Sequence, residues 1–288
     1  MKNNNSINHF NYLRSVFILL MLFTLGGFKF SQVNNEYDNP AKLHFIMFAD
    51  KYSNVAESCS TDEKLLTKQL RHIANKTQMD LEIYTGDFSP RGVERALNRV
   101  NASENDAIMF YYSGHGFRYR DQSNRSSKFP YMFLSKEDGH PHEVGMSLES
   151  VKDKLRSKGA RLVLVFGNLC NNSIKIDEPV RMPTDFASEA YKRLFLFSEG
   201  YLISSSSVPG QYSYATNKGG IFTLSFLEAM QEQTTARQGM NLTWNKLLDE
   251  TKEKALERSS DRQRPQYQAK INLRTEVVNP GSVIIPGE

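Results

Sequence analysis

The sequence predicts a three-layer α/β/α sandwich around a mostly parallel sheet. Four apolar runs of strand length recur along the chain, at 43–49, 107–112, 162–166 and 201–204. Each run is continuous rather than alternating, as expected of strands covered on both faces. Helical patterns separate them, and that alternation builds a parallel sheet between two helix layers.

In chain order, 43–49 (LHFIMFA) is the first strand. A helix follows over 62–74, with Leu65, Leu66, Leu70 and Ile73 on one stripe. A shorter strand, 81–84, and a helix over 91–100 lead to the strand AIMFYY at 107–112. The polar, basic stretch 118–128 is an exposed loop. Ser147 caps a helix over 147–155. The strand LVLVF at 162–166 runs into a second loop at 174–183, and YLIS at 201–204 is the next strand. Helices over 222–230 and 244–256 complete the series, the second with Leu247, Leu248 and Ala255 facing inward. No internal repeat or linker interrupts this order, so one domain is expected over 41–275, with 276–288 as a tail.

The composition is that of a globular protein. Of 288 residues 39% are hydrophobic, 11% aromatic and 24% charged, which excludes a disordered, collagen-like or disulfide-stapled chain. Removing Lys2, Arg14 and Lys29 of the N-terminal stretch from the 36 basic residues leaves 33 against 32 acidic ones. A body so nearly neutral has no net pull toward nucleic acid or an anionic membrane.

The first 31 residues read as an address. Lys2 and Arg14 precede an apolar run, Val16 to Phe23, that fades at Gly26 and Gly27. About ten residues are too few for a spanning helix, which needs about 20. A basic start and a short apolar centre describe a secretory signal peptide, with Ser31 before the cut and Gln32 after it. The alternative is an uncleaved anchor. Export, to the periplasm or beyond, is the expected localisation, with no membrane contact after cleavage. Two cysteines, Cys59 and Cys170, are too few for a disulfide framework.

Ligands of open α/β sheets sit beyond the carboxyl ends of the strands, and two strand ends carry reactive side chains. AIMFYY ends in Ser113-Gly114-His115-Gly116, and LVLVF ends in Gly167-Asn168-Leu169-Cys170. If these strands are neighbours, His115 and Cys170 face one another. A thiol beside an imidazole is the pair that thiol acyl transfer requires. Gly114 and Gly116 leave the backbone open around His115, so the Gly116 N–H and the Cys170 N–H are candidate oxyanion donors. Taken singly, Cys170 also reads as a buried small hydrophobe and His115 as a loop residue.

Tyr112-Ser113-Gly114-His115-Gly116 after an apolar strand resembles the catalytic-histidine motif of caspase-like cysteine peptidases, a group that includes metacaspases. The strand ending in Asn168-Leu169-Cys170-Asn171 is similar to their nucleophile strand. The 55 residues between His115 and Cys170 compare with roughly 50 in caspases. Ser58 to Asp62 (SCSTD), Ser204 to Tyr214 (SSSSVPGQYSY) and Gly219 to Thr223 (GGIFT) resemble further family segments in the family's order. The resemblance implies a Cys170–His115 dyad hydrolysing peptide bonds in a polypeptide substrate. It also implies a substrate pocket built from Asp62, Cys59, Ser113, Asn168 and Ser205.

In metacaspases the position of Asn168 is typically an Asp that joins the Asp62 position in holding Arg or Lys at P1. Here one of the two charges is missing, and Asp62 alone is left as anchor for a basic P1. The position of Ala215, after Ser213-Tyr214, carries an arginine in aspartate-specific caspases, so P1 Asp is disfavoured. Asp62 equally fits a helix N-cap or first-turn acid. No cofactor is expected. Calcium, needed by some metacaspases, stays open because the acids form no recognisable loop pattern. Asp138 to Glu143 (DGHPHE) reads as an exposed turn before a metal site. Two other functions compete with the peptidase: a non-catalytic caspase-like binding protein, and a Cys59–Cys170 disulfide that makes the thiol structural.

Overall fold

The computed structural model describes residues 40–118, 128–137, 141–169, 172–173, 187–235, 239 and 241–274. Cys170, the segment 1–31, the tail from 276, most of the loops at 118–128 and 174–183, and Asp138 to His140 lie outside the described residues.

The chain begins with β1 (Lys42–Ala49), α1 (Ala56–Thr77), β2 (Asp80–Tyr84), α2 (Pro90–Arg99) and β3 (Ala107–Gly114). Short strands β4 (Gly116–Phe117), β5 (Tyr131–Phe133) and β6 (Gly145–Ser147) follow, with the single turn α3 (Pro141–Val144) before β6. Next come α4 (Leu148–Arg156), β7 (Leu162–Leu169), β8 (Asn172–Ser173), α5 (Ala187–Phe195) and β9 (Ser198–Ser205). The C-terminal part holds β10 (Tyr214–Thr216), β11 (Gly219–Gly220), α6 (Ile221–Thr235), α7 (Trp244–Ser259) and β12 (Gln266–Leu273).

Six strands form the central sheet in the order β12-β9-β7-β3-β1-β2. The first four in sequence and β9 run parallel, and β12 pairs antiparallel with β9. Successive side chains of β1 alternate between two cores. Phe45, Met47 and Ala49 pack with Leu66 and Leu70 of α1, Phe195 of α5, Phe226 of α6 and Trp244 of α7. Ile46 and Phe48 pack with Val93 and Leu97 of α2 and Leu148 and Val151 of α4. Every residue of β3 and β7 is buried, and each large apolar side chain so covered contributes about 1.5–3 kcal/mol. This is why their sequences show no polar alternation.

Helix α5 and the short strands β4, β5, β6, β8, β10 and β11 are not in the pattern expected of the sequence, and two further elements differ from it in ways that bear on the site and the sheet edge. Helix α1 starts at Ala56, six residues before Asp62. Ser60, Thr61 and Asp62 look like a cap, yet Thr61 Oγ1 donates back to Glu57 O (3.0 Å) inside the helix. The start is set earlier, by a turn in which Ala56 N donates to Ser53 O (3.1 Å). Strand β12 is the other addition. Its exposure alternates, with Tyr267, Ala269 and Ile271 on the first core, as suits an edge strand with one covered face.

The register fixes the site. Ala49 pairs with Ser113, Ser113 with Asn168, and Gly167 with Ser205. The carboxyl ends of β1, β3, β7 and β9 therefore meet along one rim of the sheet.

Candidate active site

Asp62 projects from the second turn of α1 toward that rim and is fully buried. Ser113 Oγ donates to its Oδ2 at 2.7 Å, and Asn168 Nδ2 donates to the same oxygen at 2.8 Å. Gly220 N donates to Oδ1 at 2.9 Å. None of these partners carries a charge. Burial pushes the carboxyl up to about 6 from its ordinary 3.8, against the donors from Ser113, Gly220, Asn168 and Thr223, which pull it down. Asp62 is neither a helix cap nor a first-turn acid: the residue capping α1 is Val55 and the first-turn acid is Glu57.

A second layer holds this arrangement. Asn168 Nδ2 also reaches Thr223 Oγ1 (3.1 Å), which lies 2.8 Å from Tyr111 OH. Ser213 Oγ is 3.4 Å from Asn168 Oδ1 and donates to Ser206 Oγ at 2.7 Å. Leu169 N donates to Ser206 Oγ at 3.2 Å, tying the residue before Cys170 to the same network. All four of Asn168, Ser206, Ser213 and Thr223 are buried.

The paired glycines before α6 have a steric reason. A Cβ at Gly220 would lie 1.9 Å from Asn168 Nδ2, and one at Gly219, whose φ is +125°, would lie 2.7 Å from Asp62 Oδ1. Bare backbone is needed for the chain to reach the carboxylate. The glycines flanking His115 work the same way. A Cβ at Gly114 would meet Tyr112 OH at 2.6 Å, and one at Gly116 would meet Leu169 Cβ at 2.9 Å. Close packing fixes these two positions.

His115 is half-buried at the end of β3. Its carbonyl oxygen lies 2.7 Å from Tyr112 OH and accepts from Phe133 N at 2.9 Å. Its Nε2 is 2.9 Å from Asn54 Oδ1. The connection that carries Asn54 is held by Asp50, whose carboxylate accepts from Tyr52 N, Ser53 N and Ser53 Oγ at 2.6–3.1 Å. Asp50 N in turn donates to Ser113 O at 2.8 Å.

The structure thus brings Asp62, Ser113 and Asn168 into one cluster. Cys59 lies one turn before Asp62 on α1, buried in the core that also holds Tyr111. Ser205 is not brought to Asp62: its hydroxyl donates to Ser207 O at 3.1 Å and accepts from Gln266 at 3.1 Å, on the β12 side. Ser206, Ser213, Thr223 and Asn54 were not singled out by the sequence. The signal for the first three was polar side chains clustered just past a buried strand and just inside an apolar helix. Among the described residues, no group of three or more His, Cys, Asp or Glu could hold a metal ion.

The fold is an α/β domain with a mostly parallel sheet whose strand ends present an imidazole and a buried carboxylate on one rim. The model of the caspase domain family matches residues 35–275, and the chain belongs to that family of cysteine peptidases. Among curated proteins, no relative matches it.

Proposed function

We infer that the chain is an exported, metacaspase-like cysteine endopeptidase that cleaves after Arg or Lys. Cys170 is the nucleophile, His115 the general acid/base, and Gly116 and Cys170 supply the oxyanion N–H groups. The observation behind the P1 preference is the Asp62 carboxylate, buried among neutral donors and, among the described residues, with no cation bonded to it. An unpaired buried charge is costly. A guanidinium or ammonium carried in by a substrate supplies the missing partner through a charge-assisted bond.

In this reading the Cys170 thiol proton passes to His115 and the thiolate adds to the scissile carbonyl carbon. The carbonyl oxygen takes the negative charge and is met by the two N–H groups. As the C–N bond breaks, His115 returns the proton to the leaving amine, and a thioester remains. Water then adds with His115 taking its proton, and the acid product departs as the thiolate re-forms. The domain performing this spans 41–275, and residues 1–31 are removed on export.

The test uses the chain from Gln32 onward, reduced, with and without calcium, on fluorogenic peptides bearing Arg, Lys, Asp or Asn at P1. Cleavage after Arg or Lys that vanishes in Cys170→Ala is the expected result. Cleavage after Asp or Asn would keep the chemistry and remove Asp62 from the pocket. No turnover, with Cys170 also inert to an alkylating agent, would make the chain a binding module.

A further inference from the structure

We propose that Asn54 is a positioning residue that selects the tautomer of His115. The proposal rests on the peptidase reading for its consequence, and on geometry for its substance. Asn54 Oδ1 lies 2.9 Å from His115 Nε2, and an amide oxygen only accepts. The contact therefore requires a proton on Nε2. In the neutral ring that leaves Nδ1 as the lone-pair nitrogen, the one able to take a thiol proton. In the imidazolium both nitrogens are protonated, and the same contact still holds the ring. Asn54 thus serves both halves of the proton cycle and keeps the base on one nitrogen.

The surroundings make this a built arrangement. Asn54 sits between a strand end and the start of a helix, where a free turn would let its side chain wander. Three bonds to the Asp50 carboxylate fix the preceding residues, and Ser53 O accepts from Ala56 N at the following turn. The Asp50 N–Ser113 O bond of 2.8 Å ties this turn to the strand that carries His115. On the histidine side, Tyr112 OH and Phe133 N anchor the His115 carbonyl. Both partners of the 2.9 Å contact thus stand on fixed backbone.

The experiment reads tautomer and turnover separately in the full chain. Long-range proton–nitrogen spectra of the imidazole are recorded in a Cys170→Ala background over a pH series, so that the neutral ring is read directly. Substituting His115 in a companion sample assigns its signal among the six histidines. The parent is expected to show a single Nε2–H form, and Asn54→Ala a mixture. With Cys170 present, Asn54→Ala should lower kcat about three- to ten-fold at unchanged KM, the scale of one exposed hydrogen bond. Asn54→Asp, which also accepts from Nε2–H, should retain both the tautomer and kcat.

An unchanged tautomer in Asn54→Ala, or an Asn54→Asp variant as impaired as Asn54→Ala, would overturn the proposal. If the parent cleaves no peptide but its tautomer is locked and Asn54→Ala releases it, the positioning contact stands and the peptidase reading falls.

Discussion

The side-chain amide of Asn168, near the end of β7, donates to the Asp62 carboxylate in the second turn of α1 at 2.8 Å. In the metacaspases that the sequence resembles, a second acid typically stands at this place. On the proposed reading the pocket base holds one negative charge, spread over hydroxyl, amide and backbone donors, and a basic P1 group competes with those donors.

Replacing Asn168 with Asp puts a carboxylate within hydrogen-bond range of Asp62. Two such buried acids cannot both ionise, so the pair holds a proton up to neutral pH. Asn168→Asp should lose about 1–3 kcal/mol of folding stability near pH 7 and less near pH 5. Urea unfolding at both pH values measures this. In turnover, the same variant should raise the kcat/KM preference for Arg over Gln at P1 about ten-fold. A preference that falls would show that the second charge plays no part in holding P1.

Asp62 itself gives a signature in pH. Its carboxyl sits at about 6 in the folded chain against an ordinary 3.8. Between those values the folded state holds a proton that the unfolded state has released, so the contribution of Asp62 to stability falls as pH rises through the window and is flat above it. Across about pH 4 to 6 the wild type should lose up to about 3 kcal/mol relative to Asp62→Asn. A difference that stays level across the window would place the carboxyl at its ordinary value. Turnover of P1 Arg should drop about 100-fold in Asp62→Asn, the loss of a buried charge-assisted pair.

Gly220→Ala forces a methyl to within 1.9 Å of Asn168 Nδ2, the end of a buried side chain held by Asp62, Thr223 and Ser213. The overpacking should cost about 1–3 kcal/mol and should also pull Asn168 off Asp62. Gly159→Ala is the comparison. Its φ is positive, at +80°, where that of Gly220 is not, and nothing lies within 4 Å of its Cβ, so only backbone strain is added. Thermal unfolding should rank Gly220→Ala as the more damaged, and only that variant should change P1 preference.

Tyr112→Phe removes the hydroxyl that lies 2.7 Å from His115 O and 2.8 Å from Phe133 O. Tyr112 is fully buried; its hydroxyl contact with both carbonyls is lost, while the His115 carbonyl keeps Phe133 N. A loss of about 1–3 kcal/mol is expected, with kcat falling as the His115 backbone relaxes. Denaturant unfolding and steady-state kinetics check the two parts. Full stability with normal kcat would mean that Phe133 N alone holds the loop.

Much of the fold was legible because its strands announce themselves. LHFIMFA, AIMFYY and LVLVF are buried on both sides, and such runs have few other readings. The position of Asp62 was harder to read. SCSTD carries the polar residues of a helix start, and only the turn built by Asp50 shows that the start lies earlier. Strand β12 was missed although Tyr267, Ala269 and Ile271 alternate with polar residues, because an eight-residue edge strand carries half the apolar signal of a central one. Ser205 and Ser206 show the limit most sharply. They are neighbours of one type, and only the pleat decides that Ser206 faces Ser213 while Ser205 faces Gln266. Asn54 escaped notice because a polar residue in a turn ordinarily signals the turn alone.

The fit of Gly220 beneath Asn168 couples two positions 52 residues apart into a single inherited choice. A side chain at 220 would displace the amide at 168, and a longer group at 168 would need space that the backbone at 220 already fills. A lineage that enlarges the side chain at either position must therefore change both in step or pass through a damaged intermediate. Specificity at such a site drifts slowly and moves in pairs.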